Sequence, residues 1–285
     1  MNFRKGPFFD YGGMFSPFKT VVFVALFIPG IWTIVSLSLD RLGARPLTEA
    51  IHQYGDWTIR LIFISLVISP ARIVLQWPAL LQVRRMIGVA ACIYVLTHLW
   101  LYYVDESFDV TMVASEIALR IYLTIGFTAL LGLVVLATTS TDGWQKRLGA
   151  RRWQSLHRIV YVIGLLAVIH FCMQSKLDEW EPSVMAGIYV WLMGCRAITW
   201  YFGRGRLPVL AMAGMCVTAW ALTVVCEALY YGFAVGAPID RVLMANFSLD
   251  TGIRPGWVVL ASTGGVALLG ALRQLIKRGP KLRAA

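Results

Sequence analysis

Charge is what this sequence has least of. Asp, Glu, Lys and Arg together make up 14% of its 285 residues, while 58% are apolar. A soluble domain carries roughly a quarter charged residues, so a water-soluble globule of this size is excluded. Cysteine is scarce as well. Cys92, Cys172, Cys195, Cys216 and Cys226 all fall in apolar runs, and no CxxC pair occurs. That argues against a disulfide framework, a zinc site or an iron–sulfur site and leaves the cysteines as small buried apolar residues. No cleaved export signal is legible, because the first apolar run follows an N-terminal arm and is long enough to act as an anchor.

What remains is a series of long apolar runs separated by short charged turns. Eight spans are expected, at Thr20–Leu39, Trp57–Leu75, Met86–Val104, Ile121–Ser140, Leu156–Gln174, Val184–Tyr201, Pro208–Gly232 and Trp257–Leu275. Each is about the length needed to cross a hydrocarbon core of ~30 Å at 1.5 Å per residue. The expected fold is therefore an all-α polytopic transmembrane bundle.

The net charge of +11 could suggest nucleic acid, but its distribution points elsewhere. Sorted by alternate sides, one side holds Arg4, Lys5, Lys19, Arg72, Arg84, Arg85, Lys146, Arg147, Arg151, Arg152, Arg204, Arg206, Lys277, Arg278, Lys281 and Arg283. With the residues at span ends, that side carries roughly +17 and the other roughly −6, the signature of the positive-inside rule. Both termini are then cytoplasmic. Trp144 and Trp153 flank the basic stretch 146–152, as suits a headgroup interface. The acidic stretch from Asp105 to Glu116 falls outside, as a solvated loop or a docking surface for a basic partner.

There are four histidines. His98, His157 and His170 lie in expected spans, and His52 lies just before one. A lone intramembrane histidine is often only a polar packing residue. Depth separates these three. His98 lies about fourteen residues above Arg84 on an outward-running span, and His170 lies thirteen above His157 on another, about 20 Å at 1.5 Å per residue. His98 and His170 thus share a level near the outer face on different helices. Two neutral imidazoles facing each other can supply both axial ligands of a b-type haem. On an ideal helix His157 and His170 lie some 140° apart, and Gly164 is a permissible bend between them.

Four segments carry a family resemblance: HQYGDWTIRLIFISLVISPAR (52–72), the RR…LTH stretch ending at His98, RIYLTIG (120–126), and TSTDGWQKRLGARRWQSLHRIVY (139–161) followed by AVIH at His170. Across about two thirds of the chain, Thr20–Gly203, it resembles the ferric-reductase-like transmembrane family. Within that family it most closely resembles the haem-binding membrane subunits that serve periplasmic methionine-sulfoxide reductases. The resemblance implies a six-helix haem-binding core at 20–203, after an arm at 1–19 and before a two-helix extension at 204–285. It implies electron transfer across the bacterial inner membrane to a periplasmic molybdopterin methionine-sulfoxide reductase.

His98 and His170 match the outer haem ligands, and His157 matches an inner-haem ligand. The place of the fourth histidine is taken by Arg84 or Arg85, so a second haem has no second ligand in the pattern. No flavin or nicotinamide domain follows in the sequence, so the expected donor is separate, a quinone or a cytoplasmic flavin reductase, with FMN or quinone as a further cofactor. Arg120 has two readings, a partner for haem propionates or a snorkelling interface residue. Arg84 and Arg85 either hold an inner propionate or a flavin phosphate, or simply set topology. Glu227, in the extension, reads as a proton or quinone group or as a carboxylate bonded to Tyr230 or Tyr231. Two rival functions stay open: a haem subunit for a different periplasmic or quinone-linked partner, and a transporter or structural protein whose histidines only pack.

Overall fold

A computed structural model describes residues 6–10, 12–175, 179–203, 207–248 and 252–278. Arg4, Lys5, Asp178, Arg204, Arg206, Lys281 and Arg283, and the side chains of Lys277 and Arg278, lie outside the described residues.

Twelve α-helices follow one another among the described residues, with no β-sheet: α1 (Pro17–Ala25), α2 (Ile28–Ser38), α3 (Pro46–Leu75), α4 (Leu81–Asp105), α5 (Val110–Leu119), α6 (Ile121–Thr138), α7 (Asp142–His157), α8 (Val160–Gln174), α9 (Trp180–Tyr201), α10 (Val209–Tyr230), α11 (Ile239–Ala245) and α12 (Pro255–Arg278). Among the described residues, seven segments are long and apolar enough to cross a membrane: Pro17–Ser38, Pro46–Leu75, Pro78–Asp105, Ile121–Thr138, Asp142–Gln174, Val209–Phe233 and Pro255–Ile276. The eighth expected span corresponds to α9, which has 22 residues but is not among the seven. The outer surfaces of these helices are oily. Leu210 is 86% exposed, Phe233 85% and Ile276 79%. Such contiguous apolar exposure suits lipid rather than water, and the chain is a multi-pass membrane protein.

Local chemistry sets the helix ends. Ser16 caps α1 ahead of Pro17, Asp109 caps α5 and Thr141 caps α7, each side-chain oxygen taking a backbone N–H that the first turn leaves unpaired. The first span is two helices rather than the single expected one, for two reasons. Pro29 lacks the N–H that an uninterrupted helix needs. The Tyr94 hydroxyl of α4 enters the backbone ladder there, donating to Leu26 O at 2.8 Å and accepting from Gly30 N at 2.8 Å. An inserted polar group of this kind is a recognised cause of a break.

Three further departures from expectation are physical. The second span starts eleven residues early, at Pro46, which puts His52 inside α3. The acidic stretch beyond Asp105 is not a loop, because residues 110–119 form α5. The bend between His157 and His170 is not at Gly164: α7 ends at His157, α8 begins at Val160, and a sharper kink lies at Gly149, whose φ of 74° favours glycine.

Helix contacts divide the chain into two compact units, Met1–Ile68 with Ala79–His170, and Ser69–Pro78 with Phe171–Ala285. The first boundary falls beside Pro70, inside α3. In the first unit α4 and α5 pack on α6, and α1 packs on α4. In the second, α9, α10 and α12 pack on one another. Their crossing is close because Gly187 has no side chain: a Cβ there would sit 2.2 Å from Thr223 Oγ1 and 2.6 Å from Val259 Cγ2, the small-residue contact that membrane helices use.

Candidate functional site

The first unit holds both His98, on α4, and His170, on α8. Each ring is half-buried, and the two are near enough to interact electrostatically. His98 Nδ1 lies 2.7 Å from Ile51 O of α3. His170 Nδ1 lies 2.8 Å from Tyr122 O of α6. A carbonyl oxygen only accepts, so in both rings Nδ1 carries the proton and donates it. The Nε2 lone pair of each is thereby left for a ligand, the tautomer that a metal-binding histidine adopts when a carbonyl fixes its other nitrogen.

The rings are also seated alike. A Cβ at Gly55, four residues beyond Ile51, would lie 3.2 Å from His98 Nδ1 and Cε1. A Cβ at Gly126, four residues beyond Tyr122, would lie 2.7 Å from His170 Nδ1 and 2.8 Å from its Cε1. In both places the imidazole rests on a bare helix backbone and bonds the carbonyl one turn earlier. The donor set therefore suits haem at this level: two neutral imidazoles, each with one free nitrogen, on separate helices with apolar walls. The two glycines and two carbonyls were not singled out from the sequence. The signal was there, a glycine inside an apolar span within HQYGDW and within RIYLTIG.

His157 is arranged differently. Its Nδ1 donates to Trp153 O, one turn back on its own helix, at 3.0 Å. The Trp153 indole stacks on its ring at 3.8 Å between centroids and 25°. Its Nε2 faces Ser140 Oγ at 3.3 Å, and that hydroxyl bonds Leu136 O at 2.6 Å. Arg84 and Arg85 are its charged neighbours. One ring face is thus covered by indole.

Arg85 Nη1 pairs with Asp142 Oδ1 at 2.5 Å and Nη2 donates to Gln145 Oε1 at 2.9 Å, so its fork is engaged. Arg120 stands at the junction of α5 and α6 with its guanidinium closed on both Glu116 oxygens. Its Nη1 donates to the Tyr122 hydroxyl at 3.2 Å, which joins it to the residue whose carbonyl holds His170. In the second unit Glu227 is 2% exposed. Its partner is neither expected tyrosine: Arg254 Nη2 lies 3.4 Å from its Oε1 and Asn246 is its hydrogen-bonding neighbour. Tyr230 pairs instead with Glu179. Among the described residues no group of three or more His, Cys, Asp or Glu forms a metal cage.

Fold and site define a class: a multi-pass helical membrane protein that carries two δ-protonated imidazoles on separate helices of its first unit. Comparison with known proteins narrows it. The family model described as ferric reductase like transmembrane component matches residues 54–168. Proteins named protein-methionine-sulfoxide reductase heme-binding subunit MsrQ are similar over a longer stretch. That of Xanthomonas campestris pv. campestris is 42% identical over 185 residues, 62% of this chain and 84% of the relative. That of Rhodospirillum rubrum is 39% identical over 193 residues, 67% and 93% respectively. That of Polaromonas naphthalenivorans is 37% identical over 201 residues, 69% and 92%. The chain belongs to the MsrQ family of ferric-reductase-like transmembrane proteins. No solved structure matches it.

Proposed function

We propose that this chain holds one b-type haem between His98 and His170. In this reading it passes electrons across the bacterial inner membrane from a quinol or a cytoplasmic flavin reductase to a periplasmic methionine-sulfoxide reductase of the molybdopterin class. The carrying observation is the matched pair of imidazoles, each with Nδ1–H fixed on a carbonyl of the neighbouring helix and Nε2 left free. Haem bound there supplies a one-electron carrier. The chain supplies its orientation through the two seats, an apolar lining that keeps water away, and a fixed protonation state for both ligands. The relatives' names support the cofactor and the client. The charge asymmetry supports cytoplasmic termini and a periplasmic level for the His98–His170 pair.

The test is a spectrum. Protein produced with haem supplied is expected to show a Soret band that shifts on reduction, and His98→Ala or His170→Ala to abolish it. A colourless wild-type protein would sink the proposal. For the client, reduced haem-loaded protein mixed with the sulfoxide reductase is expected to reoxidise only when sulfoxide is added.

A further inference from the structure

Three segments of the second unit are basic in sequence and contain no carboxylate. Residues 69–78, 196–226 and 255–285 hold nine arginines and lysines and not one Asp or Glu. The first acid after Arg196 is Glu227, at the far end of α10. Two guanidiniums show the consequence. Arg72, in the last turn of α3, has a buried Nε with no hydrogen bond. Arg273, near the end of α12, is exposed and meets no acid or hydrogen-bonding partner among the described residues.

A cleft of 310 Å³ opens where the end of α3, the start of α10 and the end of α12 converge. Arg273 lines it, and Arg72 stands one turn before Gln76, which lines it too. Its interior is apolar, with the buried side chains of Val74, Leu207 and Met212. Gly270 brings the helices together there: a Cβ would lie 3.2 Å from Val74 Cγ1 and 4.0 Å from Met212 Cε. The polar residues Gln76, Arg273 and Gln274 are exposed and stand at the mouth. Beside the mouth the helix surfaces are oily, with Leu210 and Leu275 turned outward.

This pattern selects a ligand by exclusion. A soluble anion would find cations at the mouth but make no use of the apolar interior. A neutral lipid would leave the guanidiniums without a counter-charge. A zwitterionic head brings an ammonium group, for which these segments hold no carboxylate. An anionic phospholipid answers each point. Its phosphate takes a guanidinium fork in paired charge-assisted hydrogen bonds, and the Gln274 amide can donate to its ester oxygens. The volume is at the lower limit of small-molecule sites, about 300–1,000 Å³. That admits the head and glycerol and leaves the acyl chains along the outer surfaces of α10 and α12.

We propose that this cleft binds an anionic phospholipid of the cytoplasmic leaflet, with its phosphate on Arg273 and Arg72 and its glycerol seated between α3, α10 and α12. Basic pockets between membrane helices on that side are suited to such heads. The site rests on the membrane fold and the charge asymmetry, and not on haem.

The full chain, purified in neutral detergent and depleted of lipid, is titrated separately with phosphatidylglycerol, phosphatidylcholine and inorganic phosphate. Native mass spectra count what stays bound, and thermal midpoints report the stabilisation that binding to the folded state brings. One firmly held phosphatidylglycerol that raises the midpoint is expected, with neither effect from phosphatidylcholine or phosphate at the same concentration. Arg273→Gln is expected to weaken retention roughly ten-fold, as the loss of a charge-assisted contact predicts. Val209→Trp, at another lining residue, fills the cleft and is expected to abolish retention. Arg147→Gln, at an exposed basic residue of the first unit, is expected to leave it unchanged. The midpoint of each variant before lipid is added shows whether it is folded, and the exposed Arg273 is not needed for that. Equal weakening by Arg147→Gln would assign the lipid to the basic surface as a whole, and stabilisation by phosphate alone would assign the cleft to a free anion. Either result overturns the site, as does equal retention of phosphatidylcholine, or retention indifferent to both Arg273→Gln and Val209→Trp.

Discussion

Gly126 lies directly against the His170 imidazole, so closely that a methyl group there would sit 2.7 Å from Nδ1 and 3.0 Å from Cγ. Real contacts of that kind do not occur, so Gly126→Ala has to push the ring off its seat and lengthen the bond to Tyr122 O. Overpacking costs about 1–3 kcal/mol, which as weakened haem retention is roughly 5- to 150-fold. Gly55→Ala meets His98 at 3.2 Å and is expected to cost less. Haem content per protein after detergent exchange, read from the Soret band, checks the order. Equal retention in both variants would show that the seats do not position the ligands.

His157→Ala is expected to leave haem content unchanged at one per chain. The ring of His157 is stacked under Trp153 and bonded to its own helix, so its loss removes an interface contact rather than a ligand. Haem extraction with quantitation decides it. Two haems per wild-type chain, falling to one in the variant, would make His157 a ligand after all.

Much of this was legible in the sequence, and the remainder is missing for definite reasons. Apolar runs and charged turns locate the helices, because a bilayer permits few alternatives. The level shared by His98 and His170 follows from counting residues from Arg84 and His157. Contacts between distant residues do not follow from counting. Nothing in the sequence near Glu227 names Arg254, and nothing near Gly30 names Tyr94, 64 residues away. The seats of the two imidazoles are backbone features, a carbonyl and a missing side chain, and composition and periodicity do not register them. The expected 140° offset between His157 and His170 lost its meaning once α7 ended at the first of them.

Tyr94→Phe removes the hydroxyl that bridges Leu26 O and Gly30 N. Two outcomes are distinguishable. If α1 and α2 keep their angle, two backbone groups lose their partner, at about 1–3 kcal/mol for a buried group left unpaired. If the break closes, Gly30 N bonds Leu26 O directly and most of that cost vanishes. Pro29 removes a neighbouring bond in either case, so the first outcome is expected, seen as a lower thermal midpoint and faster hydrogen exchange at Gly30. An unchanged midpoint with slow exchange at Gly30 would show that the helix had closed, and that Tyr94 alone holds it open.

The Glu227–Arg254 pair is expected to behave as a buried ion pair whose halves are more costly alone than together. Glu227 Oε2, Arg254 Nε and Asn246 Oδ1 are buried without a hydrogen bond, so the cluster is incompletely satisfied even when intact. Removing one partner strands the other charge, and Arg254→Met or Glu227→Leu is expected to cost about 3–5 kcal/mol. Replacing both with apolar side chains removes the charges and the unpaired atoms together, and the double variant is expected to recover most of that loss. Thermal midpoints of the two single variants and the double variant, in one detergent, form a complete cycle. Additive losses, with the double variant the least stable, would mean that the two side chains act independently. The 3.4 Å contact would then carry no coupling, and the second unit would owe its stability to the packing of α9, α10 and α12 around Gly187.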